Sequence, residues 1–182
     1  MMIITSGGEG GGGEESFAAD VHAQTMRCRA EHHCNALPFA DGPLLTESAA
    51  GCHRILELGC GLGYATLWLT RGNAAQVDVI EWDELHTGLA WQNYKRYGIE
   101  SRVLFHHGGF ADVLPVLSPG YDLALYDGAA PELDIEPMLS RLLRVGGVLI
   151  SANLPLRDMG ALFGGGWDSS YAGADIVHSV RV

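Results

Sequence analysis

Between residues 54 and 151, short apolar runs alternate with longer stretches in which apolar side chains recur every three or four positions. "RILEL" (Arg54–Leu58) reads as a strand, and "YATLWLTR" as a helix from Tyr64 to Arg71 closed by Gly72. "VDVIE" (Val77–Glu81) is a second strand, and "ELHTGLAWQNYKRY" a second helix, capped by Asp83 and closed by Gly98. The strands "RVLFH" (Arg102–His106), "DLALY" (Asp122–Tyr126) and "VLIS" (Val148–Ser151) continue the series. Before the last of them, "EPMLSRLLRV" reads as a helix stopped by Gly146 and Gly147, with Ile135, Met138, Leu139, Leu142 and Leu143 on its buried side. Upstream, Phe17 to Ala40 carries a looser helical pattern, and Asp41 with Pro43 opens a short helix before the first strand. The tail "GWDSSYAGADIVHSVRV" lacks a helical period and turns near Gly173, which predicts an antiparallel hairpin. Alternating strands and amphipathic helices predict an α/β fold, a doubly wound and mostly parallel sheet with that hairpin at its C-terminal end.

Composition narrows the partners. A chain of 182 residues suits one domain, here residues 17–182, preceded by a glycine-rich segment at residues 1–16. Within that segment "SGGEGGGGEES" (Ser6–Ser16) reads as a flexible tether. No apolar run approaches the ~20 residues of a membrane span, and "MMIITSGG" lacks the basic start of a signal peptide, so a soluble, cytoplasmic protein is expected. Asp and Glu number 22 against 11 Lys and Arg, for a formal charge of −11. That balance argues against nucleic acid and anionic membranes as partners. Solubility accounts for the acidity, and attraction of a cationic substrate is the sharper reading. Cys28, Cys34, Cys52 and Cys60 form no C-x-x-C pair and read as free thiols.

The candidate chemistry begins where the first strand ends. In "LELGCGLGYAT", Gly59, Gly61 and Gly63 let the backbone turn tightly and approach a ligand, and the next helix offers its free N–H groups to the same space. The dinucleotide fingerprint fails, because Tyr64 stands where its third glycine would be, and no Gly-Lys-Ser/Thr completes a P-loop. What remains is E-x-G-x-G-x-G, from Glu57 to Gly63, followed by Glu81 at the end of the second strand, where a carboxylate can accept both hydroxyls of a ribose.

This combination resembles the first motif and the acidic partner of the class I S-adenosylmethionine-dependent methyltransferases, whose fold is Rossmann-like. "LELGCGLGYATLWL", "SRVLFHHGGFADVLPVL", "YDLALYDGAAP" and "LLRVGGVLISAN" are similar in order to segments of small-molecule O-methyltransferases related to catechol O-methyltransferase, over about residues 53 to 153. The resemblance implies S-adenosylmethionine as cofactor. Glu57, Gly59, Cys60, Gly61, Gly63 and Tyr64 would face its methionine part, Glu81 and the adjoining Trp82 its ribose side, and the His107–Phe110 loop its adenine. Gly109 replaces an aspartate usual in that loop, which leaves adenine recognition to backbone groups and the Phe110 ring. Metal-dependent members use two aspartates, an asparagine and a nearby lysine. Here Asp127 and Asn153 are kept, but Ala152 stands for the second aspartate and Gly128 to Ala130 for the lysine, so no tightly bound catalytic metal is expected.

Asp127 and Asn153 are the candidate catalytic residues, with Asp127 also beside the cofactor. A weaker resemblance to guanidinoacetate N-methyltransferase implies that Asp127 touches the acceptor, whose reacting atom, oxygen or nitrogen, stays open. The plainer reading of Asp127 is a loop carboxylate capping backbone N–H groups. Two other functions remain: a cofactor-binding protein without transfer activity, and a nicotinamide-dependent oxidoreductase. A homodimer is expected, with a second chain completing the acceptor site. His22, His32 and His33 match no common zinc spacing with Cys28 and Cys34, and surface histidines account for them, although His32 or His33 would suit a general base if this segment covers the cofactor. Trp91, Tyr94 and Tyr97 read as helix packing, Cys60 as a small space-filler, and Trp167 as a candidate wall of an acceptor pocket.

Overall fold

The computed structural model describes residues 12–71, 73, 75–128, 135–152, 165–172 and 176–182. Among the described residues, six α-helices, α1 (Gly12–His32), α2 (Gly42–Ser48), α3 (Tyr64–Leu69), α4 (Glu84–Arg96), α5 (Phe110–Val113) and α6 (Glu136–Leu142), accompany seven strands. These are β1 (Arg54–Leu58), β2 (Gln76–Glu81), β3 (Val103–His107), β4 (Tyr121–Tyr126), β5 (Leu143–Ala152), β6 (Trp167–Tyr171) and β7 (Ile176–Arg181). They form one sheet in the order β3-β2-β1-β4-β5-β7-β6, in which β1 to β5 run parallel and β7 runs antiparallel to both β5 and β6. The expected Rossmann-like sheet and its terminal hairpin are both present. Gly72 and Gly173, expected to close the helix of α3 and to turn the hairpin, lie outside the described residues.

Strand side chains alternate between two cores, as the twofold period of an extended chain requires. Ile55, Val77, Val79, Leu123, Leu125 and Ile150 pack on the side of α1 to α4, while Leu56, Leu58, Ile80, Ala124, Tyr126 and Leu149 pack on the side of α5 and α6. Asp78 is buried within β2. It accepts from the Tyr121 hydroxyl at 2.8 Å and lies 2.7 Å from His106 Nε2 and 3.5 Å from Arg54, so this carboxylate enters the interior with partners. The caps read from the sequence are in place: Asp41 accepts from Leu44 N–H, and Asp83 accepts from Leu85 N–H and His86 N–H.

Most elements shift by a residue or two from their expected bounds, and α6, β5 and α1 by more. Helix α6 stops at Leu142, and β5 begins at Leu143, because Tyr121 pairs with Leu143 but Leu123 pairs next with Val148. The residues between loop out as a bulge, with Gly146 at φ +74° and a Cβ on Gly147 destined to sit 2.8 Å from the Arg144 carbonyl. The first helix also starts earlier than the pattern suggested, so the backbone of residues 12–16 joins α1 and the remainder of the expected tether lies outside the described residues. What holds α1 is its far side: Phe17, Val21, Thr25 and Cys28 are buried at helical spacing. The Phe17 ring stands edge-on to Trp68 at 5.0 Å and Tyr97 at 6.0 Å. Polar links to α4 reinforce it, with Tyr97 donating to Asp20 at 2.6 Å and Asn93 to Gln24 at 2.6 Å. Among the described residues no helix is long and apolar enough to cross a membrane.

Candidate functional site

The carboxyl ends of β2, β1 and β4 lie side by side, through the pairs Leu58 with Ile80 and Leu58 with Tyr126. Connections leave β1 and β4 toward opposite faces, which opens a crevice at the place where doubly wound sheets bind ligands. A cavity of ≈ 1090 Å³ occupies it. The glycine turn after β1 forms part of its wall and has φ of +84° at Gly59, +51° at Gly61 and +86° at Gly63. The turn runs close to its surroundings: a Cβ on Gly59 would stand 3.0 Å from the Gly128 Cα, and one on Gly63 only 2.5 Å from the Tyr94 ring.

Glu57, one residue before the end of β1, is fully buried. The Tyr94 hydroxyl lies 2.8 Å from Thr66 Oγ1, which donates to Glu57 Oε2 at 2.6 Å, so a relay from α4 through α3 holds one carboxyl oxygen. The other, Oε1, is buried with no hydrogen-bond partner. Burial pushes this carboxyl up to about 8 against the pull of the Thr66 hydrogen bond, and the nearby charges of Asp127 and Glu81 add to the rise. Glu81 is also buried, but its oxygens are occupied. Oε1 accepts from the N–H groups of Trp82 (3.0 Å) and Asp83 (3.1 Å), and Oε2 accepts from Gly61 N–H at 3.1 Å. His86 Nδ1 faces Oε2 at 3.9 Å, and the interaction with Glu81, outweighing burial, raises this imidazole to about 9.

Of the residues singled out from the sequence, Gly59, Cys60, Gly61, Tyr64, Glu81, Trp82, Phe110 and Asp127 line the cavity. Glu57 and Gly63 support the turn from behind, and Gly109 precedes α5 beside Phe110 without reaching the lining. The Phe110 ring covers Gly128, where a Cβ would meet it at 2.9 Å. Asn153 lies outside the described residues, as do Ala129 and Ala130. Ala152, at the end of β5, is buried. Trp167 departs from expectation: it is buried under α6 and donates from its indole to Glu136 at 2.7 Å, so it belongs to the core and not to a pocket wall.

Sequence reasoning missed most of the cover. The 33–41 connection after α1 brings Cys34, Ala36 and Phe39 onto the cavity, and a Cβ on Gly61 would touch Ala36 at 3.2 Å. Leu37 and Phe39, two large apolar residues in a stretch without a regular period, were the available signal. His32 and His33 also line the cavity, exposed, with His33 at φ +56°. His22 is exposed elsewhere, whereas Cys28 and Cys34 turn inward.

The same sheet recurs in solved methyltransferases. The structure superposes on an O-methyltransferase of Streptomyces achromogenes involved in tomaymycin synthesis, solved with S-adenosylmethionine, with a TM-score of 0.72, 20% identity and coverage of 90% of this chain and 89% of that one. A Bacillus cereus O-methyltransferase solved with S-adenosylhomocysteine gives 0.69 at 19% identity, covering 93% and 97%. The fold is thus the Rossmann-like fold of these methyltransferases. In sequence, the chain is 34% identical over 115 residues to a catechol O-methyltransferase of Mycobacterium tuberculosis, covering 60% of this chain and 52% of that protein. It is 31% identical over 111 residues to one of Niastella koreensis, covering 57% and 50%, so the matches span about half the length of these curated relatives. No protein-family model matches the chain.

Proposed function

We propose that this chain is a methyltransferase that takes S-adenosylmethionine into the crevice and methylates an oxygen or nitrogen of a small molecule. The observation that carries the reading is the unpartnered, buried Glu57 Oε1 beside the positive-φ glycine turn, one strand away from Glu81. A cofactor with an ammonium group supplies the donor that Glu57 Oε1 lacks, and its ribose hydroxyls would add to the backbone N–H groups that Glu81 already accepts from. When bound, S-adenosylmethionine supplies an electrophilic methyl group on a sulfonium. Glu57 would accept from the ammonium, and Glu81 would take the ribose hydroxyls with Trp82 alongside. Gly59, Cys60, Gly61 and Tyr64 would form the wall of the methionine part, with Gly63 keeping the turn tight, and Phe110 with the Gly109 backbone would border the adenine. The ≈ 1090 Å³ of the cavity reaches the upper end of the ~300–1,000 Å³ usual for a small-molecule site, which leaves room for an acceptor beside the cofactor.

Asp127, on the cavity wall, is proposed with Asn153 to contact and orient the acceptor. Transfer then depends chiefly on alignment and exclusion of water, a contribution that positioning alone can make large. Asp127 with the buried methyl of Ala152 does not make the oxygen-rich set that magnesium requires, so the step is assigned to these side chains without a tightly bound catalytic metal. The carboxylates Glu81 and Asp127, both on the cavity wall, favour a cationic or amine acceptor, in keeping with the net charge of −11. Leu37, Trp82 and Leu85 leave an exposed apolar rim at the cavity, and its coverage by a second copy of the chain, giving a homodimer, belongs to the same proposal. A monomeric mass by light scattering at micromolar protein would remove that part.

Isothermal titration with S-adenosylmethionine and S-adenosylhomocysteine tests the cofactor. Both should bind wild-type protein, and Glu81→Ala should abolish measurable binding. Wild-type affinity in that variant would overturn the site. Incubation with labelled cofactor and a panel of amines, guanidines and phenols then identifies the acceptor class.

A further inference from the structure

Three side chains that methyl transfer leaves idle meet where α1 ends. Cys28, buried on the last turns of α1, and Cys34, just past its end, have Sγ atoms 3.4 Å apart, one thiol donating to the other. His86, in the first turn of α4, brings a ring nitrogen into the same cluster, and the three ligand atoms all lie within 4.8 Å of one another. Tetrahedral zinc, with Zn–S about 2.3 Å and Zn–N about 2.0–2.1 Å, places two thiolate sulfurs ~3.8 Å apart and a sulfur and an imidazole nitrogen ~3.6 Å apart. The two sulfurs therefore stand within a few tenths of an ångström of the spacing that the metal imposes.

The orientation of His86 is a second, independent observation. Its Nδ1 faces the Glu81 carboxylate at 3.9 Å, while its Nε2 is buried without a hydrogen-bond partner. An imidazole with a carboxylate on one nitrogen and a metal on the other has its tautomer and ring plane set, and coordination satisfies the buried nitrogen that no hydrogen bond reaches. Neutral imidazole and thiolate ligands select zinc over magnesium or calcium.

We infer that Cys28, Cys34 and His86 form a zinc site that ties the end of α1 and the connection covering the cavity to the start of α4. Cys34 and His86 both line the cavity, so the fourth position faces it and takes a water molecule. Both cysteines coordinate as thiolates and His86 as a neutral imidazole, which must shed the proton it holds at neutral pH, so three protons leave for each zinc bound. The site shares the cavity and Glu81 with the proposed cofactor site, but its three ligands have no role in methyl transfer, so the inference does not depend on that reading.

The test uses the full chain, reduced and stripped of metal, titrated with zinc against a chromophoric chelator with no cofactor present. One zinc per chain should bind at neutral pH with release of three protons. Cobalt in its place should give thiolate-to-metal charge transfer and the visible bands of a tetrahedral centre. Glu81→Gln, a positioning change, should weaken zinc ~10–100-fold while keeping the cobalt spectrum thiolate-ligated. Loss of a ligand in Cys34→Ser or His86→Ala should weaken binding by more than that ~10–100-fold range. Cys52→Ser, which alters a thiol outside the cluster, should bind as wild type does. Because a ligand variant can fail to fold, the wild-type protein carries a further check: one equivalent of zinc should protect Cys28 and Cys34, and not Cys52, from alkylation mapped by mass spectrometry. Absence of stoichiometric binding, a cobalt spectrum without thiolate charge transfer, unchanged affinity in folded Cys34→Ser, or equal alkylation of Cys28 and Cys34 with and without zinc would each overturn the inference. Loss of cofactor binding with zinc retained would count against the methyltransferase reading alone.

Discussion

At Gly63 the backbone holds φ +86°, and the Tyr94 ring fills the space where a Cβ would stand, 2.5 Å away. Alanine there meets both a left-handed conformation and an aromatic ring whose hydroxyl feeds the relay to Glu57. Gly63→Ala should destabilise the protein by about 1–3 kcal/mol in urea unfolding. Glu57 makes the opposite kind of prediction. Its carboxyl keeps its proton in the folded chain between the ordinary 4.5 and about 8, whereas the unfolded chain releases it near 4.5. Folding stability thus falls as pH rises through that window, and Glu57→Gln, which does not titrate, escapes the fall. The stability advantage of the variant should grow from about pH 4.5, level off above about pH 8 and exceed about 1 kcal/mol there. Its affinity for S-adenosylmethionine should drop at the same time, since the ammonium can drive the proton off Glu57 and pair with the carboxylate, whereas the amide has no charge to offer. A variant that is more stable and binds less well separates the two roles, because a purely structural Glu57 would not change affinity.

At the scale of elements, α1 and the connection after it decide whether the crevice has a cover. Helix α1 is attached by Phe17 between Trp68 and Tyr97 and by polar bonds from Asn93, Arg96 and Tyr97 of the α4 region. Truncation of this ring leaves a gap between two helices. Phe17→Ala should lose about 3 kcal/mol or more of the stability of this docked unit, seen as faster hydrogen exchange in the amides of α1, while β1, β4 and β5 keep their protection. A uniform acceleration across the sheet would mean that α1 and the sheet unfold as one unit. The bulge in β5 has a different role. It lets Leu142 close a helix and Leu143 open a strand, both buried, without a separate loop between them.

Over the whole molecule, an excess of 11 negative charges repels itself, and the carboxylates of Glu81 and Asp127 both line the ligand crevice. Moderate sodium chloride should therefore raise the Tm of the ligand-free protein and weaken the capture of a cationic acceptor, two opposed trends that calorimetry and titration over a salt series would follow. A fall in Tm with salt would place the stabilising ion pairs, such as Arg96 with Asp20, above the net repulsion. Much of this architecture was legible in the linear chain. Strand β1 has the bounds that its apolar run predicts, Asp41 and Asp83 cap the helices that they precede, and the glycine turn falls at a strand end beside Glu81. Each is decided by neighbours within a few residues, through periodicity, a side-chain oxygen near N–H groups, or a backbone dihedral that only glycine adopts freely. What required the tertiary structure is whatever depends on partners distant in sequence. Trp167 meets Glu136 in the core, the 33–41 connection covers the glycine turn, the register of β5 against β4 sets the bulge, and His86 of α4 joins two cysteines from the end of α1. No local pattern encodes those meetings, because they follow from how the helices dock on the sheet.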